Sequence, residues 1–414
     1  KIRTEILWRH FGMSRPRSRI ARSKEFIAFR AQIPKRRCNI KGKDWKYFQF
    51  GPTHVPPLIC LHGTSGTAET FFCQVMTLGS KGYHIIAAQH PDYWDHKSWV
   101  NGFSMFLNEI GVEKCHILGV SLGGFMALHY ASKHPSNVLS MILCNSFVDT
   151  KPFHQSSAWT TMLGYMPDFY LKKYILDSFP KGSMPVIQAD AVDFVVEQLE
   201  TLTQRDLGSR LTLNCLQSSV EKYIPTLQKI PVTILDTIDE VVLPEVMRDR
   251  LYKSFPLAKF AYIKKGGDFP FLSSHMEVSM YIQVHLRGVN VFPNGLDKKS
   301  YAKKSGISLE SKEVEKKPTD PEEIKRLAKL AEEKRKLEEK KRKEEKERQR
   351  KIMEIRKKKQ AKIDKLVESI AGKDDDEDVM FGESKKRAPL NKPTETSIFD
   401  EDPEEDEADP MGGM

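Results

Sequence analysis

A serine at the centre of the pentapeptide G-V-S-L-G (119–123) has the setting that best suits chemistry in this 414-residue chain. An apolar run at 115–118 precedes the pentapeptide and an apolar helical pattern follows it, which predicts a strand, a sharp turn and a helix. Glycine at Gly119 and Gly123 allows so tight a turn without side chains striking the neighbouring strand or helix. Ser121 is then expected at the apex, on strained backbone, as a nucleophile.

Two backbone N–H groups near Ser121 are candidates for stabilising the oxyanion that nucleophilic attack creates. Leu122, the residue after the serine, supplies one of them. Gly63 supplies the other from the loop H-G-T-S-G (62–66), which follows a buried strand. Small residues in this loop let the backbone approach a substrate. An ordinary strand-to-helix turn also accounts for the loop sequence, and both interpretations stay open.

A serine hydroxyl near neutral pH also needs a base, and the base needs an acid to orient it. Asp239 lies in the turn after a late strand, where the acid is expected, and Asp149 is a second candidate. The base is expected just after the last strand, but Asp268 stands there. A carboxylate with an unperturbed pKa of about 4 is a weak base for a serine hydroxyl. His275 is the candidate replacement, which gives a hypothetical triad of Ser121, Asp239 and His275.

Other residue types that carry chemistry form no recognisable cluster. His62 and His96 lie near the same predicted rim, but neither has the chain position expected of the base. The six cysteines have no C-x-x-C spacing and most lie inside apolar segments, which indicates reduced core residues of a cytosolic protein. The sequence therefore predicts neither a metal site nor a cofactor.

Strands that alternate with helices must position these residues, and their spacing predicts a mostly parallel, doubly wound α/β sheet. An edge strand is expected at 45–50. Buried strands are expected at 57–61, 83–89, 115–118, 138–146, 231–235 and 259–264, and helices at 68–78, 99–110, 243–255 and 273–286. Residues from about 150 to 230 break the alternation. Within them, 159–179 and 189–202 show helical spacing, which predicts a helical cap over Ser121. Together with the serine turn, this pattern predicts the α/β-hydrolase fold.

The composition changes at both ends of the predicted domain, which spans residues 45–290. The net charge of +10 belongs to the ends. Residues 1–44 are rich in Arg, Lys and Ser and predict a solvated basic arm, with a mitochondrial transit peptide as the alternative. The chain begins with lysine, and Met13 is one candidate for a native start. No run of eighteen apolar residues occurs, so no membrane span is predicted.

The segment after residue 290 divides into a linker (291–320), a charged helix (321–372) and an acidic tail (373–414) that is disordered by composition. The helix is expected to begin at a proline followed by two glutamates, and acid-first i, i+4 pairs support it. Its long stretch without apolar residues favours a solvated single helix over a continuous coiled coil. The basic excess of the helix suits RNA or anionic lipid, and a simple spacer is the alternative.

Six motifs that are less general show a resemblance to a known family. They are GTAETFF (66–72), PDYWDH (91–96), GVSLGGF (119–125), ILCNSF (142–147), SRLTLNC (209–215) and GGDFPFL (266–272). On these motifs, residues 45–290 resemble the maspardin family of non-secreted α/β-hydrolase-fold proteins, and the charged tail is not covered. The family keeps the serine turn but lacks the usual catalytic histidine. It has asparagine at the position that matches Asp268.

This resemblance implies a non-catalytic adaptor that binds protein partners, such as membrane receptor tails or cytosolic enzymes, in trafficking or receptor signalling. It also implies a cytoplasmic protein with peripheral association with endosomal and trans-Golgi membranes. The alternative, drawn from the residues themselves, is a weak serine esterase that uses Ser121 with Asp239 and His275. A third hypothesis is a nucleic-acid or membrane binder that acts through the basic helix.

Overall fold

The computed structural model of the protein describes residues 17–156, 162–179, 184–239 and 241–305. The predicted charged helix at 321–372 and the predicted acidic tail at 373–414 therefore lie outside the described residues. The same holds for residues 1–16 of the predicted basic arm and for the second half of the predicted linker.

Eight strands form one sheet in the described part of the chain. They are β1 (Arg36–Ile40), β2 (Lys43–Phe50), β3 (Leu58–Leu61), β4 (Ile85–Gln89), β5 (Cys115–Val120), β6 (Val138–Cys144), β7 (Val232–Thr237) and β8 (Lys259–Ile263). Their order is β1-β2-β4-β3-β5-β6-β7-β8. Strands β3 to β8 run parallel, and β1 and β2 are antiparallel additions at the β4 edge. Continuous apolar runs form the central strands because helices cover both faces of the sheet.

Helices connect these strands and cover the sheet. They are α1 (Lys24–Gln32), α2 (Phe72–Ser80), α3 (His96–Glu109), α4 (Leu122–Lys133), α5 (Lys151–Ser156), α6 (Asp168–Ser178), α7 (Val186–Glu200), α8 (Gln204–Cys215), α9 (Ile224–Leu227), α10 (Glu245–Ser254), α11 (Pro270–Ser273), α12 (His275–Gly288) and α13 (Lys298–Lys304). The predicted α/β-hydrolase arrangement, with a mostly parallel sheet, is confirmed. No helix among the described residues combines the length and the apolar character needed to span a lipid bilayer.

The prediction of a solvated basic arm is wrong for residues 17–44, because these residues belong to the folded domain. Phe29 of α1 is fully buried, and its ring centroid lies 4.7 Å from that of Phe48 in β2. Strand β1 pairs with β2 along its whole length. The segment is rich in basic residues, but Phe26, Phe29 and Ile33 follow a helical spacing. Phe26 and Phe29 of α1 and the C-cap residue Ile33 are therefore buried on the same side.

The first part of the predicted linker at 291–320 is also structured. Helix α13 begins after Asp297, whose side chain accepts hydrogen bonds from two backbone N–H groups of the first turn. Tyr301 of α13 packs against Phe292, with ring centroids 5.2 Å apart. The folded part of the chain therefore extends beyond the predicted boundary at residue 290.

Helices α5 to α9 are inserted between β6 and β7, where the sequence predicts a helical cap. Part of this insertion has an apolar cluster of its own, which is separate from the two clusters that flank the sheet. Its buried members are Leu163, Leu171, Ile175, Leu199, Leu202, Leu207, Leu211 and Cys215. A Thr203–Asp206 capping box begins α8 within this insertion, at a helix that the sequence analysis did not predict.

The cysteines are distributed between the sheet and the cap. No disulfide joins any of the six, all of which lie in the described ranges, and five of them are buried. Cys60 and Cys144 lie in central strands, whereas Cys215 belongs to the cap cluster. Among the described residues, no group of three or more histidine, cysteine, aspartate or glutamate side chains is arranged to hold a metal ion.

Candidate functional site

Ser121 lies at the sharp turn between β5 and α4, as the sequence predicts. Its backbone has φ 49° and ψ −118°, a strained conformation for a residue with a side chain. The turn leaves no room for side chains at the flanking glycines. A Cβ on Gly119 would lie 2.4 Å from Gly124 Cα, and a Cβ on Gly123 would lie 2.3 Å from the Leu61 carbonyl oxygen. The half-buried Ser121 therefore stands clear of the sheet between closely packed backbone segments.

The two predicted oxyanion residues lie next to Ser121. A Cβ built on Gly63 would lie 3.3 Å from Ser121 Cβ and 3.9 Å from Ser121 Oγ, so the Gly63 backbone passes close to the serine. Leu122 is the first residue of α4, and an N–H group at that position has no carbonyl partner within its helix. The geometry is compatible with the predicted oxyanion role, which stays a prediction.

Asp239, the predicted acid, accepts hydrogen bonds from backbone N–H groups rather than from a histidine ring. Its Oδ1 accepts hydrogen bonds from the N–H groups of Gly266 and Gly267 at 3.3 and 3.0 Å, and its Oδ2 also accepts from Gly267 at 3.0 Å. The side-chain amide of Gln188, on cap helix α7, donates to Oδ2 as well. Asp239 thus fixes the loop that comes just before Asp268.

The loop at 266–268 is held from further sides. The Gly267 carbonyl oxygen accepts hydrogen bonds from Asn145 Nδ2 at 3.3 Å and from Thr237 Oγ1 at 3.1 Å. Gly267 itself has φ +61°, a backbone conformation that favours glycine. Asp268 Oδ1 accepts a hydrogen bond from the Val242 N–H group at 2.7 Å. The residue at the position of the usual base therefore binds the loop that follows β7.

His275, the candidate replacement base, begins α12. Burial lowers the pKa of His275, and the nearby Glu25 carboxylate of α1 partly offsets this. In the described residues, no hydrogen bond joins His275 to Ser121 or to Asp239, so these three residues are not connected as a triad would be. The catalytic roles assigned to them stay predictions.

Asp149, the second candidate acid, is engaged elsewhere. Its Oδ2 lies 2.9 Å from Arg250 Nη1, and its Oδ1 accepts a hydrogen bond from the Lys151 N–H group. Asp149 and Arg250 line a surface cavity of about 690 Å³ together with Gln217, Ser218, Ser219, Glu221 and Lys151. An ion pair with Arg250 leaves this carboxylate in a structural role.

The histidines that the sequence places near the rim are buried. His62 Nδ1 donates a hydrogen bond to the Gly63 carbonyl oxygen at 2.8 Å, and its ring stacks on His90 with centroids 4.9 Å apart. His96 Nε2 bonds the Leu213 carbonyl oxygen at 2.8 Å, which ties α3 to the cap. Burial lowers the pKa of both His62 and His96. Both rings are therefore neutral near pH 7.

Arg210 is a polar residue at this site that the sequence analysis did not single out. It lies on α8, is fully buried, and donates through Nη1 to the carbonyl oxygens of Thr64 and Gly66 at 3.3 and 2.7 Å. A signal was available, because Arg210 lies next to Leu211 and three residues after Leu207, on the apolar side of the helix. The contact partners are far away in sequence, so the pattern alone does not identify them.

Comparison with known proteins supports the fold. A family model described as alpha/beta hydrolase fold matches residues 56–197. Maspardin from Homo sapiens is 42% identical over 272 residues, which are 64% of this chain and 87% of that protein. Maspardin from Danio rerio is 42% identical over 273 residues, which are 64% of this chain and 86% of that protein.

The solved structures share the fold at much lower identity. A malate-bound thermophilic esterase from Thermogutta terrifontis has a TM-score of 0.53 and 14% identity, and the match covers 62% of this chain and 99% of the esterase. A likeness at this identity shows the fold alone.

Proposed function

This chain belongs to the maspardin family of α/β-hydrolase-fold proteins, and from that premise we propose that it is a non-catalytic adaptor that binds protein partners. The partner classes are membrane receptor tails and cytosolic enzymes, and the processes are trafficking and receptor signalling. The proposed location is the cytoplasm, with peripheral association with endosomal and trans-Golgi membranes. These classes and this location come from the family resemblance.

One observation carries the non-catalytic part of the proposal, namely Asp268 at the position after the last strand. A carboxylate there is a poor base for the Ser121 hydroxyl. Asp239 supports the same conclusion, since its oxygens accept hydrogen bonds from the Gly266 and Gly267 backbone and from a side-chain amide. An activated serine needs a base held by an acid, and losing the base removes several orders of magnitude of rate.

Covalent labelling of the full chain by a fluorophosphonate probe tests this part directly. We expect no probe adduct by intact mass, because the Ser121 hydroxyl keeps its proton near neutral pH. Ser121→Ala and His275→Ala serve as controls. An adduct on the wild type that both substitutions remove would establish the alternative, a weak serine esterase that uses Ser121, Asp239 and His275.

Partner binding tests the adaptor part. The chain is purified from cells with its partners, each partner is identified by mass spectrometry, and its affinity for the wild type and for Ser121→Ala is compared by calorimetry. We expect equal dissociation constants, because Ser121 serves here as part of the scaffold. A large loss of affinity in Ser121→Ala would instead place the partner, or a ligand it requires, on the serine turn. Fractionation of endosomal and trans-Golgi membranes checks the proposed location.

A further inference from the structure

The Arg210 guanidinium is held between cap helix α8 and the loop that contains Gly63. Only one of its nitrogens, Nη1, has partners among the described residues, and these are the carbonyl oxygens of Thr64 and Gly66. Nε and Nη2 are buried and have no hydrogen-bond partner in that part of the chain. Buried polar groups in proteins are normally hydrogen-bonded. Two unused donors at one fully buried side chain therefore call for an acceptor.

The charge of Arg210 also lacks an ion-pair partner among the described residues. The nearby Asp206 carboxylate interacts favourably with this charge, but its Oδ2 accepts hydrogen bonds from the Thr203 N–H and hydroxyl groups at the start of α8. Burial lowers the pKa of Arg210 to about 10, which leaves the guanidinium charged at neutral pH. An unpaired buried charge is costly. Another buried cation of the cap, Lys172, is paired with Asp168 and Glu200.

His62 adds a second unused group beside this charge. Its Nδ1 donates to the Gly63 carbonyl oxygen, so its Nε2 carries no proton and is an acceptor. Nε2 is buried and has no partner among the residues that the structure describes. Gly66 connects the two residues, because its carbonyl oxygen accepts from Arg210 Nη1 and a Cβ built on it would lie 3.0 Å from His62 Cβ. Burial lowers the pKa of His62, and the positive charge of Arg210 lowers it further. The site thus offers two donor nitrogens of one guanidinium on α8 and one neutral acceptor on the loop that this guanidinium contacts.

We propose that Arg210 and His62 form a binding site for a small oxyanion that also carries a hydroxyl group. The anionic oxygens accept hydrogen bonds from Arg210 Nε and Nη2, and the hydroxyl donates to His62 Nε2. Short 2-hydroxycarboxylates and hydrogen phosphate both have this donor and acceptor pattern. The ligand is small because Arg210 and His62 are both almost fully buried. This site stands apart from the adaptor function and does not depend on it.

The test compares three anions that differ in their anionic group or in the presence of a hydroxyl group. Glycolate carries both a carboxylate and a hydroxyl, acetate lacks the hydroxyl, and inorganic phosphate carries a P–OH group. Binding to the full chain is measured by calorimetry at pH 7 and constant ionic strength. Arg210→Met removes the buried charge and keeps an apolar chain. The matched control is Arg205→Met, which removes a cation from the same helix at an exposed site paired with Asp92.

We expect glycolate and phosphate to bind the wild type and Arg205→Met equally. In Arg210→Met their dissociation constants should rise by about tenfold or more, as expected for the loss of charge-assisted hydrogen bonds. A preference for glycolate assigns the site to a hydroxycarboxylate, and a preference for phosphate assigns it to a phosphate group. If none of the three anions binds the wild type, the proposal is wrong.

His62→Phe provides an independent variant in case Arg210→Met does not fold. Phenylalanine keeps the ring that stacks on His90 and removes the acceptor. We expect this variant to bind glycolate no more tightly than acetate, because the hydroxyl has lost its partner. An unchanged preference for glycolate in His62→Phe, or unchanged affinity in Arg210→Met, contradicts the proposal.

Discussion

Asp239 is one of four side chains that form hydrogen bonds with the backbone of the loop at 266–267. The carboxylate accepts from two consecutive backbone N–H groups, and the carbonyl oxygen of Gly267 accepts from Asn145 and Thr237. The Gly266 carbonyl oxygen accepts from Ser273 Oγ at 2.6 Å. A residue type that commonly orients a catalytic base thus contributes to the stability of the fold at this site. The backbone N–H and carbonyl groups of Gly266 and Gly267 all have hydrogen-bond partners, which restrain this part of the loop.

At the residue scale, Asp239→Asn is expected to destabilise the protein. Either orientation of the asparagine amide places an NH₂ group against a donor, either the Gly267 N–H or the Gln188 side chain. A buried donor left without an acceptor costs about 1–3 kcal/mol. Denaturation in urea should show this loss in the free energy of unfolding.

Asp190→Asn is the matched control for this prediction. Asp190 pairs with Arg19, whose side chain is largely exposed, and surface pairs of this kind contribute little. We expect a change of less than about 1 kcal/mol. Equal losses in the two variants would contradict the role given to Asp239.

The sequence predicts the local part of the site better than its long-range part. The serine turn, Gly63 and Leu122 follow from short-range spacing, because the turn geometry itself requires glycine at fixed positions. The hydrogen bonds of Asp239 to the loop at 266–267 and those of Arg210 to the loop at 62–66 join distant segments. No periodicity encodes such contacts, so they became visible only in the structure.

At the element scale, the most informative difference concerns α1 and β1. Basic residues dominate this segment and hide its apolar face, which is why composition predicts a solvated arm. The structure buries Phe26 and Phe29 against Phe72 and Phe48, with ring centroids 5.1 and 4.7 Å apart. The hydrophobic contribution comes from few residues, and their burial depends on β2 and α2 being in place. Tertiary contacts rather than local pattern therefore decide the state of this segment.

Phe29→Ala tests whether α1 is part of the folded core. Phe29 is fully buried, and its truncation should lower the free energy of unfolding by about 3–5 kcal/mol. Thermal or urea denaturation of the full chain measures the loss. Ile27→Ala on the same helix is the control, because Ile27 is 56% exposed and its truncation should cost less than about 1 kcal/mol. If Phe29→Ala lowers the free energy of unfolding by less than about 1 kcal/mol, α1 is not part of the folded core, and the prediction of a solvated arm would hold.

At the scale of the whole molecule, buried neutral histidines link the sheet to its covering helices. His116 of β5 bonds Ser140 Oγ through Nδ1, and His285 of α12 bonds the same oxygen through Nε2, each at 2.7 Å. His285 Nδ1 bonds Thr233 Oγ1 at 2.7 Å. Burial lowers the pKa of His116 to about 4 and that of His285 to about 3. Both rings are therefore neutral near pH 7.

These histidines predict a loss of stability in mild acid. Their folded pKa values lie below the unfolded value of about 6.5, so the unfolded chain binds protons more readily between these limits. Stability is complete above about pH 6.5 and falls as the pH decreases. Each such histidine should contribute a loss of about 1 kcal/mol between pH 7 and pH 5.5. Urea denaturation at a series of pH values measures the slope.

Substitution of single histidines identifies their share of this slope. His116→Gln should make the fall in stability with pH shallower by one histidine, since glutamine takes up no proton. His54→Gln, at an exposed histidine, is the control and should leave the slope unchanged. Equal slopes for the wild type and His116→Gln would show that His116 is not protonated on unfolding in this pH range.

The positions of the cysteines allow local unfolding of the sheet and of the cap to be measured separately by thiol alkylation. Burial raises the pKa of the Cys60 and Cys144 thiols, and only a thiolate reacts readily with an alkylating reagent. Both residues lie in central strands and react only when the sheet is disrupted. Cys215 lies in the separate cap cluster and becomes accessible when the cap alone opens. The alkylation rate of Cys215 therefore reports opening of the cap, and the rates of Cys60 and Cys144 report unfolding of the sheet. No engineered cysteine is needed.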